Sequence, residues 1–403
     1  MPAPTGAGIF ISEEIVLIGR RITVIGAGIA GLAVARALAL HGAVVTVLEQ
    51  AEAIREVGAG LQISPNGARV LHALGLGQAF AAAGLRIEGI ELYDGETDSR
   101  VVRLDLARLR PQAEYRAIHR ARLVDILAQG ARDAGVQIRL LQKIARVDLS
   151  GAHPVVETEQ GERIEAELLI GADGLHSHVR AALNGPVAPF FTHQIAWRAL
   201  IPCEAGAPPL AQVFMGAGRH LVSYPLANGQ RNIVAVEERP RWVEESWSLR
   251  DDPLTLRAAF SDFCPRVRGW LAQVEEPGLW GLFRHPVAER WHGRGAVILG
   301  DAAHPTLPFM AQGASMALED AWALAALLAL HDRDEAALAA YQAARAARCA
   351  KIVEAANRNA RNYHLRGVPR ALGHLGMRAV STLMPEKLIG RFDWIYDFDV
   401  TKE

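Results

Sequence analysis

The pattern of apolar and polar positions changes several times along the 403-residue chain. Between Arg21 and Gln50, an apolar run is followed by glycines, by apolar residues at helical spacing, and by the run AVVTVLE, which ends at Glu49. Short continuous apolar runs are typical of buried parallel strands, and a period near 3.6 residues is typical of a helix. This region therefore predicts a strand, a glycine turn, a helix and a second strand.

The rest of the pattern predicts further elements on both sides of a strand-rich middle region. Runs such as QIAWRALIP, RHLVSYPL and RNIVAVEE, within 190–283, have little helical period and predict a largely antiparallel sheet. The other predicted elements are a helix over 68–74, short strands over 86–109, a helix over 122–134, short strands over 137–171, a buried strand and loop over 296–304, and alanine-rich helices over 313–331 and 334–359.

This order of elements predicts an α/β fold. We expect a Rossmann-type nucleotide-binding domain, an inserted and largely antiparallel β-sheet substrate domain, and C-terminal helices. The aromatic residues of RFDWIYDFDV, near the end of the chain, are expected to pack against the core or a second subunit. The expected boundaries are 1–20 for a leader or loosely attached arm, 21–85, 110–183 and 286–345 for the nucleotide-binding domain, 86–109 and 184–285 for the substrate domain, and 346–403 for the C-terminal helical segment.

Three glycines in the first turn have the G-x-G-x-x-G spacing of a dinucleotide site. Gly26 permits the tight turn after the strand, Gly28 lets the backbone approach a pyrophosphate, and Gly31 allows close packing of the helix. The pyrophosphate would lie at the helix N-terminus, where N–H groups and the helix dipole stabilise negative charge. Glu49, at the end of the second strand, can accept hydrogen bonds from the adenosine ribose. A glycine-rich turn in another kind of βαβ unit is the alternative.

Composition narrows the classes of partner. A formal net charge of −1 gives no general attraction to nucleic acid or acidic membranes. We expect no membrane span, because no run reaches the roughly eighteen apolar residues that one needs. The three cysteines are far apart and form no C-x-x-C pair, so we expect neither a disulfide framework nor a metal site. A reducing cytoplasm fits this pattern, and the chain is expected to be a monomer or homodimer.

Two later motifs accompany the glycine turn. IGADGLHSHVR, residues 170–180, follows an apolar run, and ILGDAAHPTLPFMAQGASMALEDA, residues 298–321, places Gly300 and Asp301 at a strand end. In this order the three motifs resemble the single-component (group A) FAD-dependent aromatic hydroxylases, in the branch of salicylate hydroxylase and 6-hydroxynicotinate 3-monooxygenase. The resemblance covers nearly the whole chain from Arg21 to Val400, and it implies that the nucleotide-binding domain holds FAD.

The resemblance also implies roles for single residues. Asp301 matches the acid that binds the ribityl chain of the flavin, with Gly300 before it, and the loop from Pro305 to Gly313 matches the segment along the isoalloxazine. Asp173 and Gly174 match a motif associated with both FAD and the nicotinamide nucleotide, and Arg120 matches an arginine that contacts FAD. The alternatives are a helix cap for Asp301, a turn carboxylate for Asp173 and a salt-bridge arginine for Arg120.

The implied reaction is hydroxylation of a small aromatic substrate, either a phenol or a hydroxy-aromatic acid. In this family NADH or NADPH visits transiently to reduce resident, non-covalent FAD, dioxygen adds to give a flavin C4a-hydroperoxide, and one oxygen atom is transferred to the ring. The protein must exclude water and remove a phenol proton. A flavin-dependent epoxidase, or a hydroxylase of a larger natural product, is the alternative, and a non-catalytic FAD-binding protein is a more remote one.

Candidates for substrate chemistry lie in the predicted central sheet. His220 and Tyr224 are four residues apart, an even spacing that puts both on one face of a strand. His220 could take the phenol proton and Tyr224 could orient the ring or relay the proton, and the pair resembles that of 6-hydroxynicotinate 3-monooxygenase and 3-hydroxybenzoate 6-hydroxylase. Trp197, Arg198 and Pro308 are candidate substrate contacts. A packed sheet histidine is the alternative for His220, and pairing with a structural acid is the alternative for Arg198.

Overall fold

The apolar runs form strands that are joined by helices, and the computed structural model describes residues 17–54, 59–240 and 249–403. The described strands are β1 (Arg21–Ile25), β2 (Val44–Leu48), β3 (Gly60–Ile63), β4 (Leu85–Arg86), β5 (Gly89–Asp94), β6 (Arg100–Asp105), β7 (Arg116–His119), β8 (Gln137–Arg139), β9 (Ile144–Asp148), β10 (Val155–Thr158), β11 (Arg163–Glu165), β12 (Leu168–Gly171), β13 (Phe190–Pro202), β14 (Leu210–Gly216), β15 (Arg219–Pro225), β16 (Gln230–Glu238), β17 (Gly278–Arg284), β18 (His292–Gly293) and β19 (Ala296–Ile298).

The helices connect these strands and form the C-terminal part of the chain. The described α-helices are α1 (Ile29–Leu40), α2 (Pro65–Ala73), α3 (Gly77–Ala83), α4 (Leu106–Leu109), α5 (Arg120–Asp133), α6 (His178–Asn184), α7 (Pro253–Ala259), α8 (Pro265–Leu271), α9 (Gly313–Leu330), α10 (Asp334–Tyr363), α11 (Gly367–Leu383), α12 (Pro385–Gly390) and α13 (Asp393–Tyr396).

The first sheet is the predicted Rossmann-type sheet. Its order is β18-β19-β12-β1-β2-β8, and every neighbouring pair is parallel except β18 with β19. Each residue of β12 is buried, as expected for an apolar run covered on both faces. Helix α1 packs against α5 and α9, which encloses the main hydrophobic core. The predicted fold class is confirmed.

The second sheet is larger and has the order β17-β13-β16-β15-β14-β5-β6. Its pairs are antiparallel except β14 with β5, so the prediction of a largely antiparallel sheet is confirmed. The middle region is not all strand, because α7 and α8 pack against one face of this sheet. Both helices begin with proline at the first helical position, which is a common start signal for a helix. The prediction missed them because the runs around them are strand-like.

The first and the last described segments of the chain pack on the core. Leu17 is fully buried in the main core, and Gly19 donates its backbone N–H to the carbonyl of Gly42 at 3.0 Å. Residues 17–20 of the predicted arm therefore pack on the nucleotide-binding domain, and residues 1–16 lie outside the described residues. At the other end, the aromatic residues that we expected to pack do contact the main core, and they are Phe392, Trp394, Tyr396 and Phe398.

Helix α9 lies at the centre of the protein and carries buried charge. It is the one described helix long and apolar enough to cross a membrane by length and composition, but most of it is buried against other helices. Its Asp320 accepts from Arg345 Nε at 2.8 Å and also bonds His304. The thiol of Cys349 lies close enough to His304 and Asp320 for the three to share a metal ion, yet the guanidinium of Arg345 already supplies positive charge there.

Replacing Asp320 with alanine should destabilise the fold strongly. The variant leaves the cations of Arg345 and His304 buried beside a missing carboxylate, which costs about 3–5 kcal/mol. Urea denaturation followed by circular dichroism measures the loss. Glu354→Ala is the matched control, because Glu354 forms an exposed pair with Arg358 on α10, and we expect a change below about 0.5 kcal/mol. Equal effects of the two substitutions would contradict a structural role for the buried cluster.

Candidate active site

A cavity of about 340 Å³ lies between the glycine turn of the first sheet and one face of the second. Polar groups converge on it from both sheets, as is usual for a ligand-binding site. It brings together residues that are far apart in the sequence. The residues singled out from the sequence that line the cavity are Gly28, Arg120, Gly174, Arg198, His220, Tyr224, Asp301, Pro305, Pro308 and Gly313.

The three glycines of the first turn have different surroundings. Gly26 has a φ of +99°, and a Cβ there would lie 2.5 Å from the carbonyl oxygen of Ala172. A Cβ on Gly31 would lie 1.9 Å from the carbonyl oxygen of Gly26. At Gly28, by contrast, a Cβ would meet nothing within 4 Å, and the residue lines the cavity. Two glycines therefore allow the turn to form, and the third leaves space beside the N-terminus of α1.

Glu49 follows β2 and closes the glycine turn from the side. Its carboxylate accepts from the backbone N–H of Ala27 at 2.7 Å and from that of Ala51 at 2.9 Å. Each oxygen keeps a free lone pair, since a carboxylate has about four acceptor sites. Glu49 does not line the cavity itself, but it is fixed beside the turn that does.

The two aspartates from the later motifs differ in their environment. Asp173 accepts from the Ser177 hydroxyl at 2.5 Å and from the backbone N–H of His178 at 2.8 Å, so its carboxylate holds the start of α6. Gly174, next in the chain, lines the cavity. The other carboxylate, Asp301, is exposed to the cavity and has the charge of Arg120 near it.

The loop before α9 forms one wall of the cavity. Ala311, in this loop, has a φ of +53°, a left-handed conformation that non-glycine residues seldom adopt. Gln312 is buried and donates to the Ser64 hydroxyl at 2.9 Å, which ties the loop to the region before α2. Helix α9 then begins at Gly313 without a side-chain cap. Its first N–H groups are therefore available at the cavity, where they favour negative charge.

The opposite wall is one face of the second sheet. Side chains alternate between faces along a strand, so the cavity receives every second residue. His220 and Tyr224 lie on the same face, as their spacing predicted. The cavity-facing side chains of β13, β15 and β16 are Ala196, Arg198, His220, Val222, Tyr224, Val234 and Val236.

The same alternation corrects the assignment of Trp197 as a substrate contact. Trp197 is fully buried on the other face of β13, in the core formed with α7 and α8. Its indole N–H donates to Asp251 at 2.7 Å, and its ring makes an edge contact with Phe260. A side chain held this way cannot reach a ligand on the cavity face, where its neighbour Arg198 lies.

Arg198 has no carboxylate partner among the residues that the structure describes. Its Nε–H is shielded from solvent and has no acceptor among the described residues, and its guanidinium lies over the ring of Trp280, 5.2 Å from the ring centre. Burial lowers the pKa of Arg198, and the positive charge of Arg120 lowers it further, against the opposing effect of Tyr224. The structural acid considered for Arg198 is therefore not found among the described residues.

His220 and Tyr224 are both buried in the cavity wall. Nδ1 of His220 lies 2.7 Å from Nε2 of His364. Burial, and then the adjacent His364, hold the pKa of His220 well below its usual 6.5, so the ring is neutral at pH 7. Burial raises the pKa of Tyr224, with a smaller opposing effect from Arg198, so Tyr224 stays protonated and can donate a hydrogen bond. Orienting a ring suits such a phenol better than relaying a proton.

Several cavity residues were not singled out from the sequence. The cavity residues of β3, β17 and α10 are consecutive or isolated in the sequence and carry no local signal of a site. His364 directly follows α10, and it contacts His220 although the two residues are far apart in the sequence. The further lining residues include Gly60, Gln62, Trp280, Phe309 and Asn357.

Comparison with known proteins agrees with this geometry. The family model described as "FAD binding domain" matches residues 20–356. A 3-amino-4-hydroxybenzoate 2-monooxygenase of Streptomyces cremeus is 36% identical over 353 residues, which are 86% of this chain and 88% of that protein. A 3-hydroxybenzoate 6-hydroxylase of Polaromonas naphthalenivorans (strain CJ2) is 32% identical over 392 residues, 94% of this chain and 96% of that one.

A solved structure gives the same result for the fold. HpxO of Klebsiella pneumoniae, complexed with FAD and uric acid, superimposes with a TM-score of 0.81 at 25% identity, covering 92% of this chain and 95% of that one. The fold, the glycine turn and these matches define a flavin-dependent monooxygenase. The chain belongs to the family of FAD-dependent aromatic hydroxylases. It binds FAD and uses NAD(P)H and dioxygen to insert one oxygen atom into an aromatic substrate.

Replacing Arg198 with methionine should leave the fold as stable as before, or slightly more stable. The substitution removes a desolvated cation that has no acid partner, so we expect a loss of less than about 0.5 kcal/mol. Arg231→Met in the same sheet is the control. The buried Arg231 pairs with Glu204 at 2.7 Å, and its loss should cost about 1–2 kcal/mol. Thermal unfolding of both variants measures the change in stability. A large loss of stability in Arg198→Met would indicate that Arg198 has a structural partner.

Proposed function

We propose that the enzyme hydroxylates a hydroxy-aromatic acid with a single ring. In this proposal Arg198 binds the substrate carboxylate and His220 removes the phenol proton. The observation that carries it is the guanidinium of Arg198, which has no carboxylate partner among the described residues and lies on the same cavity face as His220 and Tyr224. A carboxylate is the natural partner for such a group, because its hydrogen bonds to a guanidinium are charge-assisted and can be bidentate.

The register of the sheet supports a substrate of this size. Arg198 of β13 is aligned with Val234 of β16, and Val234 is aligned with Val222 of β15. His220 and Tyr224 lie two residues to either side of Val222. The backbones of β13 and β15 are two strand spacings apart, roughly 10 Å. One aromatic ring with a carboxylate towards Arg198 and a hydroxyl towards β15 can bridge the side chains across that distance.

The residues around the cavity suit FAD. The space beside Gly28 and the uncapped N-terminus of α1 would receive the pyrophosphate, with Glu49 as acceptor for the adenosine ribose. Asp301 would accept from the ribityl chain, and the N-terminus of α9 at Gly313 would face the flavin ring. When bound, FAD supplies the two-electron reduction and the activation of dioxygen that no amino-acid side chain provides. Asp173 would act indirectly, by holding α6 and the cavity residue Gly174.

The protein's own part in the reaction is to bind, orient and ionise the substrate. Neutral His220 can accept the phenol proton, which makes the ring more electron-rich and easier to hydroxylate. Protonated Tyr224 can donate to the substrate oxygen and orient it. Pro308, in the loop that forms the opposite wall, would cover the ring and help to keep water out.

The relatives and the cavity favour this substrate over the alternatives. The two relatives described above are named for hydroxybenzoate substrates, which carry both a carboxylate and a phenol. In the cavity, the guanidinium of Arg198 and the imidazole of His220 lie on one face, which suits a ring that carries a carboxylate and a hydroxyl. We also propose that the enzyme acts in the cytoplasm, because its three cysteines are all free. Its expected state as a monomer or homodimer stays a prediction.

The substrate class can be tested with matched acids and amides. We expect 3-hydroxybenzoate or 3-amino-4-hydroxybenzoate to stimulate NAD(P)H oxidation and to yield hydroxylated product, and the corresponding carboxamides to bind much more weakly. In Arg198→Met, affinity for the acid should fall about 10- to 100-fold, from the loss of charge-assisted hydrogen bonds worth about 1.5–3 kcal/mol. Affinity for the carboxamide should change little, because it makes no ion pair.

The measurements are oxygen uptake, NAD(P)H oxidation and product analysis by mass spectrometry, with retention of FAD as the check on folding. Arg231→Met serves again as the control, since Arg231 is bound to Glu204 away from the cavity. If Arg198→Met binds the acid as tightly as the wild type does, Arg198 is not the residue that binds the carboxylate. A lack of stimulation by any single-ring phenol, combined with turnover of a larger compound, would favour the natural-product alternative.

Replacing His220 with glutamine should slow hydroxylation and uncouple it, with hydrogen peroxide replacing product. General-base catalysis is worth roughly 10²- to 10⁴-fold, and glutamine retains polarity but cannot accept the proton. Only neutral His220 is active, and its pKa is lowered, so the acid limb of kcat/KM in the wild type should lie below pH 6.5 and disappear in the variant. An unchanged acid limb in His220→Gln would assign the proton acceptor elsewhere.

A further inference from the structure

A row of hydrogen-bonded side chains connects His220 with the protein surface. Nδ1 of His220 lies 2.7 Å from Nε2 of His364, and Nδ1 of His364 lies 2.9 Å from Oε1 of Glu238. The other oxygen of Glu238 accepts from Arg366 at 2.6 Å. The side chain of His364 is only 2% exposed, whereas that of Glu238 is 38% exposed. The row therefore runs from the cavity wall to solvent.

The charge of Glu238 determines which ring nitrogens carry hydrogen. Burial alone would raise the pKa of Glu238, but hydrogen bonds from Arg366 and His364 outweigh it and lower the pKa, so Glu238 is ionised at pH 7. A carboxylate only accepts, so His364 must donate through Nδ1 and keep its Nε2 as an acceptor. His220 then donates to His364 through Nδ1. The unprotonated Nε2 of His220 is left for the cavity.

We propose that His364 and Glu238 are positioning residues that hold His220 in the tautomer of a base and conduct the substrate proton to solvent. The proposal rests on the proposed role of His220 as the proton acceptor. It adds a second histidine and a partly exposed carboxylate to the site.

The proton moves along the row in steps, and each ring that gains a proton on one nitrogen releases a proton from the other. The phenol O–H bond of the substrate breaks and a bond from hydrogen to Nε2 of His220 forms. His220 releases its Nδ1 proton to Nε2 of His364, and His364 releases its own Nδ1 proton to Oε1 of Glu238. Glu238 delivers that proton to water. Both rings end neutral with their tautomers reversed, and they return by reorientation or by proton exchange before the next turnover.

The need for such an exit follows from the surroundings of His220. It is packed against Phe309, Tyr363 and His364, so a proton kept on its ring would be a buried, poorly solvated charge. Burial raises the pKa of Tyr363 to about 12, which excludes this phenol as the next acceptor at neutral pH. His364 faces the anion of Glu238, with Gln194 at 3.5 Å and the exposed Arg366 beyond. The only carboxylate in this described group is Glu238.

A purely structural tie is the competing explanation. His364 follows α10 directly, and its bond to Glu238 joins that helix to β16, so the pair could simply fix the two elements. The experiment must therefore measure something that stability alone does not change. His374 provides the matched control, because it is also buried and pairs with Asp94 at 3.3 Å, but it does not contact His220.

The first measurement is the tautomeric state of the histidines, by ¹⁵N NMR of the FAD-loaded enzyme labelled at its imidazoles. His220→Gln and His364→Gln identify the two signals. We expect both rings to carry hydrogen on Nδ1 at pH 7, and we expect Glu238→Gln to shift His220 towards a mixture of tautomers. His374→Gln should leave both signals unchanged. A wild-type His220 protonated at Nε2, or one that does not respond to Glu238→Gln, would overturn the proposal.

The second measurement is proton release when the oxidised holoenzyme binds 3-hydroxybenzoate or 3-amino-4-hydroxybenzoate, followed by stopped flow with a pH indicator. The wild type should release about one proton, because a phenol with a pKa near 10 binds as phenolate. In His364→Ala and Glu238→Gln the release should be at least about tenfold slower. Added imidazole should restore the rate in His364→Ala in proportion to its concentration, and should not affect the wild type or His374→Gln.

The two proposals can fail separately. If binding releases no proton in the wild type, or if His220→Gln releases it as fast as the wild type, His220 is not the acceptor and the row fails with it. If His220→Gln abolishes release while His364→Ala and Glu238→Gln retain the wild-type rate, the assignment of His220 stands and the row alone is overturned. Slow release in His364→Ala without rescue by imidazole would support the structural tie and would also overturn the row.

Discussion

The two-residue alternation of side chains along the second sheet is the constraint on which the site depends. One face of β13 and its neighbours packs against α7 and α8 and forms a core, and the other face forms the wall of the cavity. Because the faces alternate, the adjacent residues Trp197 and Arg198 lie on opposite faces, with Trp197 in the core and Arg198 in the cavity. A one-residue shift in register would exchange core and site together, so the packing of the core also fixes the chemistry of the cavity.

Local patterns predicted the parts of the enzyme that are built from neighbouring residues. The turn around Gly26 could be predicted because the close approach of its backbone to Ala172 excludes larger residues, and the shared face of His220 and Tyr224 could be predicted from their spacing. The contact of His364 with His220 could not, since the two lie 144 positions apart. The sequence also could not predict that Arg198 lacks an acid partner among the described residues, because an aspartate or glutamate from any part of the chain could have paired with it.

The cavity and the buried cluster of α9 differ in how their charges are paired. In the cluster, Asp320 and Arg345 neutralise one another, as buried charges usually must. In the cavity, Arg198 has no carboxylate partner among the described residues. Because a buried cation is stabilised by a nearby anion, the position of Arg198 supports the proposal that the substrate bound there is anionic.

Charge balance also links substrate binding to proton removal. In the proposed complex, a carboxylate bound at Arg198 offsets the charge of its guanidinium, and ionisation of the phenol adds a second negative charge on the same face of the sheet. A proton left on His220 would oppose this, because it would restore positive charge to a buried wall beside Arg198. Transfer along His364 to the exposed Glu238 keeps the phenolate and removes the extra charge. In the proposed reaction, the cation of Arg198 therefore favours both an anionic substrate and an outlet for its proton.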